Sequence, residues 1–238
     1  MTPEIVAFIF ARGGSKGLPR KNLLPLEGKP LIVHAIELGR SLHRVKKVVV
    51  STDSEEIAEV ARAAGAEVPF MRPAELATDS APEWTAWQHA ILALRASGVR
   101  VDVFLSLPPT SPLRSREDVE CCLDTFLQQQ QDVVVTVREA ERNPYFNMVR
   151  HEPDGLVRLA VEGNFHRRQD APMVYDLTTV AYVARADFVL SANRLFDGKV
   201  RSVLIPRERA LDIDTPLDML VAKALAPHVM NAGSPRAL

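Results

Sequence analysis

The chain has 238 residues, 47% of them hydrophobic, which suits one globular domain with a sizeable core. With 29 basic against 30 acidic residues the net charge is −1, so no global field favours nucleic acid or an anionic membrane. The N-terminus lacks a signal peptide's basic region and its apolar run is far shorter than the ~20 residues that span a bilayer, so a soluble protein of the cytoplasm is expected, and Cys121 and Cys122 are compatible with that reducing compartment.

Ile5-Val6-Ala7-Phe8-Ile9-Phe10 is a continuous apolar run, the pattern of a strand buried on both faces. A glycine loop follows, then a helix from about Pro30 and a second buried strand at Lys47 to Ser51. Ser54 is an N-cap for the next helix, whose stripe is Ile57, Val60, Ala61 and Ala64, and Gly65 ends it. Glu67 to Met71 reads as a short strand, Pro82 to Ser97 as a helix closed by Gly98, and Val101 to Leu107 as a fourth strand. Ser115 with Asp118 resembles a capping box opening a helix to about Gln130, and Asp132 to Val137 is a valine-rich fifth strand.

The rhythm changes over residues 138 to 175, where turn signals separate short strand-like pieces and Pro153-Asp154-Gly155 predicts a hairpin. Alternation resumes with a strand at Thr178 to Val183, a helix at Arg185 to Asn193 and a strand at Ser202 to Ile205, and Thr215-Pro216 opens a last helix. The pattern predicts a single α/β domain over 1–238: three layers, a mostly parallel sheet and an inserted antiparallel excursion. Ligands of such sheets bind beyond the carboxyl ends of the strands.

At the end of the first strand stands Ala11-Arg12-Gly13-Gly14-Ser15-Lys16-Gly17-Leu18-Pro19-Arg20-Lys21-Asn22. Its three glycines allow a tight turn with exposed amides, and Arg12, Lys16, Arg20 and Lys21 put four cations within ten residues. Such a concentration calls for an anion, and a triphosphate suits it. The spacing is neither that of a Walker loop nor that of a dinucleotide fingerprint.

Asp212-Ile213-Asp214 sets two carboxylates at i and i+2, on one face of an extended segment. They suit Mg²⁺, which keeps waters and substrate phosphates as further ligands, or they cap the helix at Thr215-Pro216. Asp53, after the second strand, either contacts a ribose or metal or caps the helix at Ser54. Trp84 and Trp87 lie at helical spacing with Ile91 and Leu94 and read as core or interface; His166 reads as a solvated loop residue.

Residues Ala11 to Leu23 resemble the N-terminal signature of the CMP-N-acylneuraminate (sialic acid) synthetases, a cytidylyltransferase family. The likeness continues at Val50-Ser51-Thr52-Asp53, Arg72-Pro73-Ala74-Glu75-Leu76-Ala77-Thr78-Asp79, Pro109-Thr110-Ser111-Pro112-Leu113-Arg114, Arg168-Gln169 and Asp212-Ile213-Asp214-Thr215. It implies a Rossmann-like nucleotidyltransferase fold and transfer of CMP from CTP to the anomeric hydroxyl of a 2-keto-3-deoxy sugar acid, with release of pyrophosphate. By resemblance, Arg12, Lys16, Lys21 and Asp214 would be catalytic. Ala11, Arg12, Gly13, Ser15, Lys16, Lys21, Asn22 and Asp79 would bind the nucleotide, and Asp212 and Asp214 would hold Mg²⁺. Thr110, Ser111, Arg114, Arg168, Gln169 and Asp176 would face the sugar, and the excursion at 138–175 would make a homodimer, with Tyr145, Phe146 and Met148 as candidates to bury there.

Three positions depart from the family pattern, one of them Pro82, which replaces a serine that in the family helps bind nucleotide. Pro108 stands where a glutamine contacts the sugar, and Asp176 stands where an arginine binds the sugar carboxylate. An anion cannot clamp a carboxylate. Either Arg114, Arg167 or Arg168 supplies that contact, or the acid differs from N-acetylneuraminate. A Kdo-like acid, a phosphonate or a sugar phosphate remains an alternative acceptor, and a nucleotide-binding regulator without catalysis remains an alternative function.

Overall fold

The computed structural model describes residues 2–15, 17–128 and 130–230. The strand β1 (Ile5–Phe10) is buried almost throughout and feeds the glycine loop. A small ribbon of β2 (Pro25–Leu26) and β3 (Lys29–Pro30) leads into α1 (Leu31–Ser41), and β4 (Val45–Ser51) follows. Next come α2 (Glu55–Ala63), capped by the Ser54 hydroxyl, α3 (Glu83–Ala96), β5 (Val103–Ser106), α4 (Arg116–Gln128) and β6 (Val133–Glu139). The predicted hairpin is present as β7 (Val149–His151) and β8 (Val157–Leu159). The chain then returns through β9 (Tyr175–Arg185), α5 (Ala186–Ser191), β10 (Val200–Leu204) and α6 (Pro216–Val229).

Six strands form the central sheet in the order β10-β6-β9-β5-β1-β4. The pairs of β1 with β4, β1 with β5 and β10 with β6 are parallel, and only β9 runs against its neighbours. Helices α1, α2 and α4 cover one face through Ile5, Ala7 and Ile9, while α3 and α5 cover the other through Val6 and Phe8. Alternate residues of one apolar strand therefore serve two cores, which is why the run reads as continuously hydrophobic. Helix α6 packs separately, closing Ile213 over Leu26, Leu31 and Leu113. The expected three-layer, mostly parallel Rossmann-like fold is what the chain adopts.

One predicted strand is absent. Of Glu67 to Met71 only Glu67 pairs, in a single bridge to Val49, because Pro69 has no amide to continue a ladder. Strand β9 is longer than the expected strand and holds a wide bulge: Tyr182 faces Val135, but the next β6 residue, Thr136, faces Thr178. Thr179, Val180 and Ala181 are thus displaced from the ladder, and the Thr136 hydroxyl, within 3.3 Å of the Thr178 and Ala181 carbonyls, satisfies part of the lost pairing. Bulges of this kind re-aim side chains.

Candidate functional site

Beyond the carboxyl ends of β1, β4 and β5 lies a cleft of about 600 Å³, walled by the glycine loop, by Arg72 to Glu83, by Pro108 to Thr110, by Thr179 and Tyr182, and by Asp212 to Thr215. A second hollow of similar size, about 630 Å³, lies between Glu139–Arg142, Arg168 and Leu204–Arg207. Both lie beyond the carboxyl ends of parallel strands, the second beyond β6 and β10, but of the two only the first collects the glycine loop and the Asp212/Asp214 pair.

The loop is held by its neighbours. Ala11 N–H donates to the Ser51 carbonyl at 3.1 Å, Gly13 N–H to Asp53 Oδ1 at 2.9 Å, and the Asn22 amide to the Arg12 carbonyl at 3.1 Å. Asp53 therefore anchors the loop, while the cap on α2 belongs to Ser54. Gly17 runs so close to the other wall that a Cβ there would stand 2.5 Å from the Asp214 carbonyl oxygen.

The loop's cations separate. Arg12 lines the cleft and pairs with Asp79 at 2.7 Å; Lys21 lines it and pairs with Asp214 at 2.5 Å. Arg20, at φ 56°, turns outward to Glu56 of α2. Lys16 lies outside the described residues. Ser15 and Asn22 also line the cleft, as does Asp79, whereas Ala11 is buried beneath it.

Asp212 and Asp214 alternate with a fully buried Ile213 and both face the cleft, as their spacing predicted. They do not cap α6: Thr215 and Asp218 form that capping box, and Asp218 also accepts the Asp214 amide at 3.1 Å. Asp212 Oδ1 is buried with no hydrogen-bond partner. Burial raises the Asp212 carboxyl above its ordinary range; the Thr110 hydroxyl pulls it down, Asp214 pushes it up, and Thr179 and Lys21 pull it down. A buried carboxylate oxygen without a donor, beside a second carboxylate, is the hard oxygen set that Mg²⁺ takes.

Three cleft residues carry no signal of their own in the sequence. Arg72 is buried, donates through Nε and a terminal nitrogen to Ser51 at 3.1 and 2.6 Å, and lies 5.5 Å from the Phe10 ring centroid. Glu83, in the first turn of α3, faces the cleft and accepts from Trp87 Nε1 at 3.2 Å. Crowding by protein raises its carboxyl, against the pull of Trp87 and of Arg72, although solvent reaches it through the cleft mouth. Tyr182 packs against Trp87, its ring tilted by 53° with centroids 5.4 Å apart, and lines the floor. Trp84 and Trp87 are core residues, and His166 is exposed.

On the expected sugar side only Thr110 lines this cleft, joined by Pro108, Pro109, Thr179 and Tyr182. Ser111 is buried against the Thr179 hydroxyl at 2.7 Å. Arg114 is turned inward, 6% exposed, and spends its guanidinium on two backbone carbonyls, so it does not reach a ligand in the cleft. Arg168 and Gln169 are exposed near the second hollow and its neighbour. Asp176 is paired with Arg138 at 3.2 Å on the strand beyond the bulge, outside the cleft wall. The chain thus brings Arg12, Ser15, Lys21, Asn22 and Asp79 together and leaves Arg114, Arg168, Gln169 and Asp176 apart from them.

In the excursion, Tyr145 packs edge-on to Phe165 and Phe146 is half-buried, whereas Met148, Val149, Leu156 and Val157 are exposed on the hairpin. Among the described residues no helix is long and apolar enough to cross a membrane.

Residues 6–185 match a sequence profile described as cytidylyltransferase. The chain is 35% identical over 223 residues to the post-translational flagellin modification protein B of Campylobacter coli, covering 93% of this chain and 94% of that protein. It is 34% identical to a CMP-N,N'-diacetyllegionaminic acid synthase of Campylobacter jejuni, with 93% and 94% covered. Among solved structures, CMP:2-keto-3-deoxy-manno-octonic acid synthetase complexed with CTP superposes with a TM-score of 0.68 at 19% identity, over 94% of this chain and 99% of that one, a likeness of fold.

Proposed function

The chain belongs to the cytidylyltransferase family, and from that premise we propose that it joins CTP to the anomeric hydroxyl of a nonulosonic-type sugar acid, giving a CMP-sugar and pyrophosphate. The single observation that carries this reading is the facing of Arg12 and Lys21 with Asp212 and Asp214 across one cleft. Cations on one wall suit the phosphates of the nucleotide, and oxygen ligands on the other suit a divalent cation at the reacting phosphate.

In this reading Arg12 offers a planar fork and Lys21 a point charge to the leaving pyrophosphate, Lys16 adds a third cation, and the Gly13, Ser15 and Asn22 stretch lies along the nucleotide. The acceptor oxygen bonds to the α-phosphorus as the bond from that phosphorus to the bridging oxygen of the β-phosphate breaks. The hydroxyl proton leaves to solvent and pyrophosphate departs against the cations. Asp212 and Asp214 would hold Mg²⁺, which when bound withdraws charge from the α-phosphoryl group. The acceptor lies against Thr110, Thr179 and Tyr182, the open part of the same cleft. Since Asp176 is paired with Arg138 across β6 and β9, the acid's carboxylate needs another partner.

A homodimer formed by the hairpin belongs to the same proposal, supported by the exposed Met148, Val149, Leu156 and Val157. So does a place in the cytoplasm.

Pyrophosphate release, measured with each nucleoside triphosphate across nonulosonic and octulosonic acids, tests the reading. Turnover with CTP and a nine-carbon keto-deoxy acid is expected. Turnover only with UTP or with a sugar phosphate would sink it, and tight CTP binding without any turnover would make the protein a regulator.

A further inference from the structure

The buried cation Arg114 has no place in the chemistry just proposed, yet it touches both segments that support the metal carboxylate. One terminal nitrogen donates to the Pro108 carbonyl at 2.6 Å, and the other donates to the Val180 carbonyl at 2.6 Å. Val180 lies inside the β9 bulge, where its neighbours have left the β6 ladder, so Arg114 supplies a donor where a strand amide would have been.

The two tethered carbonyls flank the threonines that matter. Pro108 opens the segment that delivers Thr110, and Val180 follows Thr179 directly. The hydroxyls of Thr110 and Thr179 both bear on the Asp212 carboxyl. The Thr110 carbonyl accepts from Ile213 N–H at 2.8 Å, which fixes the backbone between the two acids, and Ser111 joins Thr179 at 2.7 Å. Arg114 is itself held in register. The carboxylates that act on its charge are Asp118 first and Asp212 second; Asp118 caps α4 by accepting from the Ser115 amide at 2.8 Å and takes a fork from Arg209 with both contacts at 2.9 Å.

We propose that Arg114 is a positioning residue for the metal site: it clamps the β5 exit and the β9 bulge together, so that Thr110 and Thr179 present Asp212 Oδ1 to the cation. A lysine could satisfy one of the two carbonyls with full strength but lacks the planar fork that spans both. This inference rests on the reading of Asp212 and Asp214 as metal ligands, and the experiment separates the two.

The test is Mn²⁺ affinity by electron paramagnetic resonance, with and without CTP, on the full chain and on Arg114→Lys, Arg114→Met and Thr179→Val, each with its Tm. Loss of a group that orients a metal ligand weakens the metal on the order of 10- to 100-fold. Arg114→Met and Thr179→Val are expected to show a loss of that order, with Arg114→Lys intermediate, while CTP binding measured without metal changes little. Thr179→Val leaves Arg114 in place, so it reads the same linkage should Arg114→Met fail to fold. A lowered Tm with unchanged Mn²⁺ affinity in Arg114→Lys or Arg114→Met would overturn the proposal and leave Arg114 a brace of the core alone. No Mn²⁺ binding by the unaltered chain with CTP would overturn the metal reading together with it.

Discussion

The ammonium of Lys21 lies 2.5 Å from Asp214 Oδ1, joining the glycine loop to a segment 193 residues away. Lys21 is largely sheltered, so the pair holds the cation at the cleft mouth with little freedom to swing. Lys21→Met removes that charge and shortens the side chain by only its terminal atom. On the proposed chemistry, pyrophosphate release should fall on the order of 10²- to 10³-fold while Tm changes little. Unchanged turnover would remove Lys21 from the phosphate site.

Gly17→Ala tests the close approach of the two walls. The added methyl would meet the Asp214 carbonyl oxygen at 2.5 Å, and that contact is backbone, so loop and Asp214 must move apart. A rise in the CTP KM together with a fall in kcat of at least about tenfold is expected, since displacement by about 1 Å can cost 10²-fold. The Tm should hold, because Gly17 is exposed and packs in no core. Normal kinetics would mean that the spacing of these walls is unimportant.

Asp212→Asn should separate stability from activity. The Asp212 carboxyl is pushed above its ordinary range by burial, so its charged form costs the empty protein free energy at neutral pH. Asparagine keeps the shape and the threonine contacts without the charge. Relief of about 1 kcal/mol would raise Tm by roughly 2–4 °C, while turnover is abolished. A variant that keeps turnover would refute the metal role; a lowered Tm would show that the charge is compensated.

Glu83 gives a pH signature. Its carboxyl titrates above the ordinary range, first from crowding by protein, against the pull of Trp87 and Arg72. A folded-state value above the unfolded one adds stability that is complete below the unfolded pKa and lost as pH rises through the folded pKa. The Tm of Glu83→Gln minus that of the unaltered chain should therefore increase from pH 4 to pH 7. The substitution keeps an acceptor for Trp87 Nε1, because an amide oxygen takes that hydrogen bond in place of the carboxylate. Parallel Tm curves would mean that Glu83 is as well solvated folded as unfolded.

Much of the architecture was legible because β1, β4, β5 and β6 contain local apolar runs, β1 followed by the glycine loop and β5 by Pro108 and Pro109. The glycine loop and the Asp212–Ile213–Asp214 alternation were legible for the same reason: their chemistry lies in adjacent residues. What escaped depends on register. The β9 bulge shifts Thr179 into the cleft and takes Asp176 out to Arg138, and nothing in the residue types announces a three-residue slip. Arg114 reads as a ligand for an acid because an arginine in a loop motif usually meets an anion; its inward turn follows from carbonyls that the bulge strands. Nothing in the residues beside Glu83 marks it out beyond a place at the start of a helix, since the cleft is walled by five segments far apart in the chain.

The ion pair of Arg12 with Asp79 gives the site a threshold. An arriving anion must first displace a carboxylate already seated on the guanidinium. Inorganic phosphate, or the single phosphate of a nucleoside monophosphate, has few contacts with which to compete. On the proposed chemistry a triphosphate would engage Arg12 and Lys21 together and so win the exchange. Once pyrophosphate has gone, the CMP-sugar left behind is a phosphodiester with a single charge, and on this reading it faces Asp79 by itself. The acid inside the cationic loop would therefore act as a built-in competitor, keeping the vacant enzyme from silting up with cellular phosphate and hastening departure of the CMP-sugar.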